Sequence, residues 1–220
     1  MITLALDAST YRGSVAILDD TRVLVQSTAT MRGQDREMLM PGVAEALRSV
    51  GATFESVDRV VCGSGPGSFT SLRIAASIAK GLAVGRSIPL FAVSSLALIV
   101  AGNVTDGPRG PRRYLAVQDA LRGECFVAEF EHHEGAVRQV TPLRLVPTGE
   151  VESVASSSSA RAVGPDQRDN WLPHARGTAL LLDEILAGGP VNVGSWEPVY
   201  GRLAEAQVKW EAAHGRALSS

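Results

Sequence analysis

One phrase occurs twice in this sequence, and it constrains the fold more than any other feature. Leu4-Ala5-Leu6-Asp7 runs on to Arg12-Gly13-Ser14-Val15-Ala16, and Leu115-Ala116-Val117-Gln118-Asp119 runs on to Arg122-Gly123-Glu124-Cys125-Phe126. In each passage an apolar strand ends in aspartate and a turn ending Arg-Gly opens the next strand. Such a phrase also arises by chance in unrelated hairpins. Duplication is the favoured reading, and it predicts two lobes of related architecture.

The length of 220 residues falls between one large domain and two small lobes, so the internal pattern decides. Residues 2–7, 14–18 and 22–26 read as an antiparallel meander with Asp19-Asp20-Thr21 as a tight turn. Residues 34–50 place Leu39, Met40, Val43, Ala46, Leu47 and Val50 on one helical stripe, which Pro41 kinks or delays. A strand over 57–62, a helix over 68–85, a strand over 90–93 and a helix over 94–101 complete the order βββαβαβα.

Residues 102–113 hold three glycines, two prolines and three arginines, the composition of a linker. The expected division is therefore a first lobe over 1–103, a second over 114–202 and a tail over 203–220. In the second lobe, 114–118 and 124–131 read as strands, 139–146 as extended, 156–159 as a low-complexity loop and 162–164 as a short strand. Residues 178–187 read as a helix ended by Gly188-Gly189-Pro190. The tail reads as helical and solvated over 203–214, with Val208 and Trp210 its largest apolar groups.

Composition narrows the function classes. With 45% hydrophobic and 20% charged residues the chain has the material for a core. Twenty-one basic against 23 acidic side chains argue against nucleic-acid binding through a broad basic face, so any RNA role is indirect or shared. Arg109, Arg112 and Arg113 form the one basic cluster, read as a solvated linker with a minor RNA contact as the alternative. Cys62 and Cys125 sit in apolar runs and are too few for a disulfide framework, which points to a reducing compartment. The first residues lack the pattern of a signal peptide, and the strongest apolar stretch, 96–101, falls far short of the ~20 residues of a membrane span. The expectation is a soluble cytoplasmic protein with no membrane contact. His132, His133, His174 and His214 show no metal-ligand spacing, no Gly-x-Ser-x-Gly elbow occurs, and neither cysteine neighbours an evident base.

Two motifs remain. The Gly-rich run Gly63-Ser64-Gly65-Pro66-Gly67-Ser68 lies between a strand and a helix, where free N–H groups meet anions, yet it completes neither the Walker nor the dinucleotide pattern. It reads as an anion site or as a rigid strand-to-helix turn with Ser68 as N-cap. Asp7-Ala8-Ser9-Thr10, with Ser14 across the turn, suits either a Mg-nucleotide phosphate or a self-bonded turn, and Asp119 is its counterpart. The candidate nucleotide contacts are thus Asp7, Ser9, Thr10, Gly65, Gly67, Ser68 and Asp119.

The helix that follows carries Phe69, Leu72, Ala76, Ala79 and Ala83 on one face and Ile74, Ile78 and Leu82 on another. This apolar arc of ~220° is about twice what covering one sheet requires. Either the first lobe buries the helix on two sides, or one face is kept for another chain. On the preceding helix Met38 lies off the stripe, and Gly42, Ala44 and Ser49 are small. Met38 also reads as a lone exposed apolar residue. The candidate partner interface comprises Met38, Leu39, Gly42, Val43, Ala46, Leu47, Leu72, Ile74, Ala75, Ile78 and Leu82. An unfilled apolar helix face also tends to pair with a second copy of itself.

Ala5-Leu6-Asp7-Ala8-Ser9-Thr10, the run from Gly63 through Gly-Pro-Gly-Ser-Phe-Thr to Leu72-Arg73-Ile74, Ala79-Lys80-Gly81-Leu82-Ala83 and Ala92-Val93-Ser94-Ser95-Leu96 closely resemble the bacterial TsaB (YeaZ) family. Asp119-Ala120-Leu121-Arg122-Gly123-Glu124 and Pro198-Val199-Tyr200-Gly201-Arg202 resemble its second-lobe and terminal elements. The resemblance implies an α/β, two-lobed actin-like (ASKHA, ribonuclease-H-like) fold with mixed central sheets flanked by helices. It implies a non-catalytic dimerisation partner of the transferase TsaD in making N6-threonylcarbamoyladenosine next to the tRNA anticodon. Pairing would run through first-lobe helices, the ATPase TsaE would dock on the pair, and tRNA would be met through the complex. No intrinsic cofactor is implied, ATP and Mg entering only with the complex. Asp35 stands where relatives commonly carry histidine, which favours a partner over a metal-binding catalyst. Ala8, Ser71 and Ser64 replace the usual Thr, Gly and Arg. The rival readings are an actin-like ATPase, phosphotransferase or metal-dependent peptidase, and direct tRNA binding by this chain.

Overall fold

The structure is a computed structural model that describes residues 1–31, 37–104, 112–133 and 135–200. Its first sheet is built from β1 (Ile2–Asp7), β2 (Arg12–Asp19), β3 (Arg22–Thr30), β4 (Arg59–Gly63) and β5 (Leu90–Val93), in the order β3-β2-β1-β4-β5. The first three strands are antiparallel, with Asp7 opposite Ser14, and β4 and β5 add in parallel. β3 runs to Thr30 rather than the expected 26, because β2 pairs with it down to Arg12 opposite Thr30. Its polar Gln26, Ser27 and Thr28 hid that extension, since this edge strand has one buried position in nine and no packed face to impose an alternation.

The second sheet contains β6 (Arg112–Asp119), β7 (Glu124–His133), β8 (Ala136–Gln139), β9 (Arg144–Pro147), β10 (Arg161–Gly164) and β11 (Asp169–Asn170). Its order is β11-β10-β6-β7-β8, with β9 also on β7. From β8 inward the sequence of antiparallel, antiparallel, parallel, parallel neighbours repeats that of the first sheet. Asp119 pairs with Cys125 as Asp7 pairs with Ser14, so the repeated phrase marks a repeated topology. This is the two-lobed ribonuclease-H-like arrangement of the actin-like class.

Among the described residues five α-helices flank the sheets: α1 (Leu39–Ser49), α2 (Phe69–Arg86), α3 (Ser95–Ala101), α4 (Val151–Ser157) and α5 (Thr178–Ala187). α1 starts at Leu39, which places Pro41 in the first turn, where a missing N–H breaks no helical bond. The Glu37 carboxylate accepts the N–H groups of Leu39 and Met40 there. α4 takes in Ser156 and Ser157, expected to be loop. Val151 and Ala155, one turn apart, bury against the second sheet, and the Ser153 and Ser157 hydroxyls donate back to the Glu150 and Val154 carbonyls.

The layers follow from which strand face is apolar. α3, buried along its whole length, and α5 lie between the sheets, packed on Ala5, Leu18 and Phe91 from one side and Tyr114, Ala128 and Phe130 from the other. The short apolar run 96–101 is therefore the centre of the molecule. α1 lies over β2 and β3, and α2 over β4 and β1, covering Leu4, Leu6, Ile17, Val60 and Leu90 on the outer face of the first sheet. α4 covers the outer face of the second. After α5 the chain returns to the first lobe: Val191 N–H donates to the Leu90 carbonyl at 2.8 Å and Val199 N–H to the Ser64 carbonyl at 2.7 Å. No helix among the described residues is long and apolar enough to cross a membrane.

Candidate functional site

The two sequence candidates, the Asp7 turn with its Gly-rich neighbour and the α1–α2 surface, sit at different places on the first lobe and have opposite characters. Asp7, at the end of β1, is wholly buried. Its Oδ1 accepts the backbone N–H of Ser9 at 3.0 Å and the Ser9 hydroxyl at 2.9 Å, and its Oδ2 accepts the Ser95 hydroxyl at 2.5 Å. Ser95 Oγ in turn accepts the N–H of Gly65 at 3.0 Å. Burial pushes the Asp7 carboxyl up from the usual carboxylate range, and the Ser95 and Ser9 donors oppose it. Against β1, a Cβ on Gly63 would run into this carboxylate.

Three N–H groups of the Gly-rich loop are spent inside the chain. Ser64 N–H donates to Val93 O, Gly65 N–H to Ser95 Oγ, and Ser68 N–H to Ser9 O. Ser9 O also accepts Gln118 Nε2 at 3.0 Å, a bond that joins the two lobes. Gly67, at φ +157°, leaves no room for a side chain beside the Ser9 carbonyl, and Gly65, at φ +87°, would place a Cβ 2.5 Å from the Val199 carbonyl oxygen. These glycines admit the chain's own backbone, which is what the rigid-turn reading requires. Ser68 holds the N-cap position, but its hydroxyl meets Ser71 Oγ at 3.1 Å rather than capping an N–H.

The remaining nucleotide candidates are likewise turned inward or apart. Thr10 Oγ1 donates to Arg12 O and accepts Arg12 N–H. Asp119 is exposed and accepts the N–H of Leu121 within its own turn at 2.8 Å. Asp7 and Asp119 therefore present no joint carboxylate face, and among the described residues no group of three His, Cys, Asp or Glu side chains could hold a metal ion. His174 Nδ1 accepts the Arg176 N–H, and burial lowers its pKa to about 4. Asp35 lies outside the described residues. Ser95 and Gln118, the partners that complete the cluster, were not singled out from sequence, because nothing local marks a serine for an aspartate 88 positions away.

The helical candidates divide sharply. Leu39, Val43, Ala46, Leu47, Leu72 and Ala75 are at most 2% exposed. Their stripe covers this chain's own sheet, so they belong to its core and do not form a surface for a partner. Met38, Gly42, Ile74, Ile78 and Leu82 are half-buried at the rim, with Met38, Ile78 and Leu82 packed against that core. The outward face of α2 carries Thr70, Arg73, Ser77, Gly81, Gly85 and Val84, the last 65% exposed. A Cβ added to Gly42, Gly81 or Gly85 would meet nothing within 4 Å. Helix-interior glycine costs about 1 kcal/mol against alanine, and among the described residues no contact requires glycine at these positions.

Comparisons with known proteins give the chain's relatives. A family model described as TsaD, tRNA N6-adenosine threonylcarbamoyltransferase, matches residues 31–161. The tRNA threonylcarbamoyladenosine biosynthesis protein TsaB of Bacillus subtilis (strain 168) is 32% identical over 96% of this chain and 98% of its own length. The protein of the same name from Escherichia coli (strain K12) is 34% identical over 62% of this chain and 58% of its own. The solved structure of YeaZ from Pseudomonas aeruginosa superposes with a TM-score of 0.74 at 28% identity, covering 90% of this chain and 99% of that one.

Proposed function

We propose that this chain, which belongs to the TsaB (YeaZ) family of tRNA threonylcarbamoyladenosine biosynthesis proteins, serves that pathway as a non-catalytic subunit that pairs with the transferase through the outward face of α2 and the adjoining rim of α1. The observation that carries this reading is the open space above Gly42, Gly81 and Gly85. Helices approach closely where side chains are smallest, and a packed partner helix recovers in dispersion what glycine forfeits in chain entropy. Ser77, Gly81 and Gly85 recur every fourth residue of α2 and form a flat floor, with Ile74 and Ile78 beside it as apolar anchors.

The geometry around Asp7 disfavours a catalytic role for it. Its oxygens are engaged by Ser9 and Ser95, and the N–H groups of Ser64, Gly65 and Ser68 by the chain's own carbonyls and a hydroxyl. The partner is the TsaD-type transferase, the TsaE-type ATPase joins the pair, tRNA is reached through the assembly, and a second copy of this chain competes for the same face when the transferase is absent.

Gly81→Leu tests the pairing, because the substituted side chain has room on the isolated chain but occupies the floor. The variant should keep the wild-type circular dichroism spectrum and thermal transition and no longer co-elute with the transferase on size exclusion. Co-elution equal to wild type would remove α2 as the contact.

A further inference from the structure

One end of the second sheet is basic. Arg112 and Arg113 open β6, Arg161 opens β10 and Arg138 stands in β8, all four exposed. The ladder sets them level: Arg161 lies opposite Tyr114, Arg113 opposite Glu131, and Glu131 opposite Arg138. The four therefore line one rim within three strand spacings, about 14 Å. Arg161 is paired with Asp169 and lies over the Trp171 ring at 5.9 Å. Among the described residues no ion pair engages Arg112, Arg113 or Arg138. Arg109, the third member of the basic cluster expected from sequence, lies outside the described residues.

The opposite end of the same sheet is acidic. Asp119 closes β6, Glu124 opens β7 opposite Pro147, and Glu150 stands just past β9, with Arg122 in the turn beside them. The near balance of 21 bases against 23 acids over the whole chain hides this separation. At the basic end Tyr114 and Phe130 are buried and Trp171 is half-buried, so what the rim presents is charge. A protein interface is built around a desolvated apolar centre, whereas a nucleic-acid strand is held through its phosphates. The planar fork of arginine takes two phosphate oxygens at once. The rim belongs to the second sheet and the α2 face to the first, so the two call on different surfaces.

We infer that this arginine rim binds the phosphate backbone of tRNA, so that the chain adds sequence-independent contacts to the substrate as well as a surface for the transferase. The inference rests on the place proposed above for this chain in tRNA modification, and not on which helix face pairs.

The test measures tRNA binding by the chain paired with the transferase over a range of salt concentrations. Arg112→Gln, Arg113→Gln and Arg138→Gln combined should weaken binding about tenfold or more at about 0.1 M salt, and should flatten the slope of log K against log salt by about two to three. Lysine at the same three positions keeps the charge and should keep the slope. Unchanged affinity and slope in the glutamine variant overturn the inference. So does an equal loss in the lysine variant, which marks a structural role, or a loss of co-elution with the transferase, which makes the rim a protein contact. Should the triple variant lose the wild-type circular dichroism spectrum, Arg138→Gln alone should flatten the slope by about one, and an unchanged slope overturns the inference. If wild-type chain and transferase do not pair, the pairing reading falls and the lone chain decides. At about 20 mM salt, where phosphate contacts are strongest, it should then retain tRNA and the glutamine variant should not. Equal retention, or none by the wild type, overturns the inference.

Discussion

The carbonyl oxygen of Val199 lies 2.5 Å from where a side chain on Gly65 would begin, and the Val199 N–H holds the adjacent Ser64 carbonyl at 2.7 Å. The Gly-rich loop is thus a socket for the chain's own returning segment, and its glycine marks a contact rather than a vacancy for phosphate. Gly65→Ala combines a positive-φ penalty with displacement of that segment. It should lower stability by about 1–3 kcal/mol, read as a shifted urea midpoint with an unchanged slope.

Asp7 is bonded by Ser9 and Ser95 and reaches no solvent. Calorimetry of the lone chain with Mg-ATP should register no heat of binding. Asp7→Ala should cost about 1–3 kcal/mol by leaving buried donors unmatched, without altering transferase pairing beyond that loss of folded protein. Tight Mg-ATP binding abolished by this substitution would restore the actin-like enzyme reading.

Gly81 and Gly85 separate folding from pairing. Alanine at either position meets open space on the isolated chain and should raise its stability by up to about 1 kcal/mol. The same methyl groups lift an approaching helix, so affinity for the transferase should fall while the melting temperature rises. A higher melting temperature with unchanged affinity would mean that the floor faces solvent in the working complex.

His174 gives the fold a pH dependence with a definite sign. Burial holds its folded pKa at about 4, below the ~6.5 of an unfolded chain, so between these values only the unfolded state takes up the proton. Its contribution is fully present above pH ~6.5 and is lost as pH falls toward 4, by about 1–2 kcal/mol after allowance for partial exposure. His174→Asn keeps an acceptor for the Arg176 N–H and should flatten stability over that interval relative to wild type.

Strand order was legible because the Asp7 and Asp119 phrases repeat and because Leu4, Leu6, Val60 and Val61 are plain apolar strand residues. β3 beyond Gln26 was not, since Ser27, Thr28 and Thr30 are polar and only pairing with β2 defines them as strand. α4 was hidden by its serines, whose hydroxyls are absorbed locally. On α1 and α2 the periodicity marked two apolar faces but could not label them. Leu39 and Ile78 are equally apolar, and only the position of the sheet shows that the first is core and the second is rim. The Asp7 cluster depends on Ser95 and Gln118, brought from distant sequence by tertiary packing that no local pattern encodes.

The most direct measurement is formation of threonylcarbamoyladenosine on tRNA by the transferase, the ATPase and an activated threonine donor, with wild-type chain, with Gly81→Leu and without either. Product should accumulate with the wild-type chain and fall to the level of the chain-free reaction with Gly81→Leu. Equal product in all three reactions would contradict an activating subunit that works through α2.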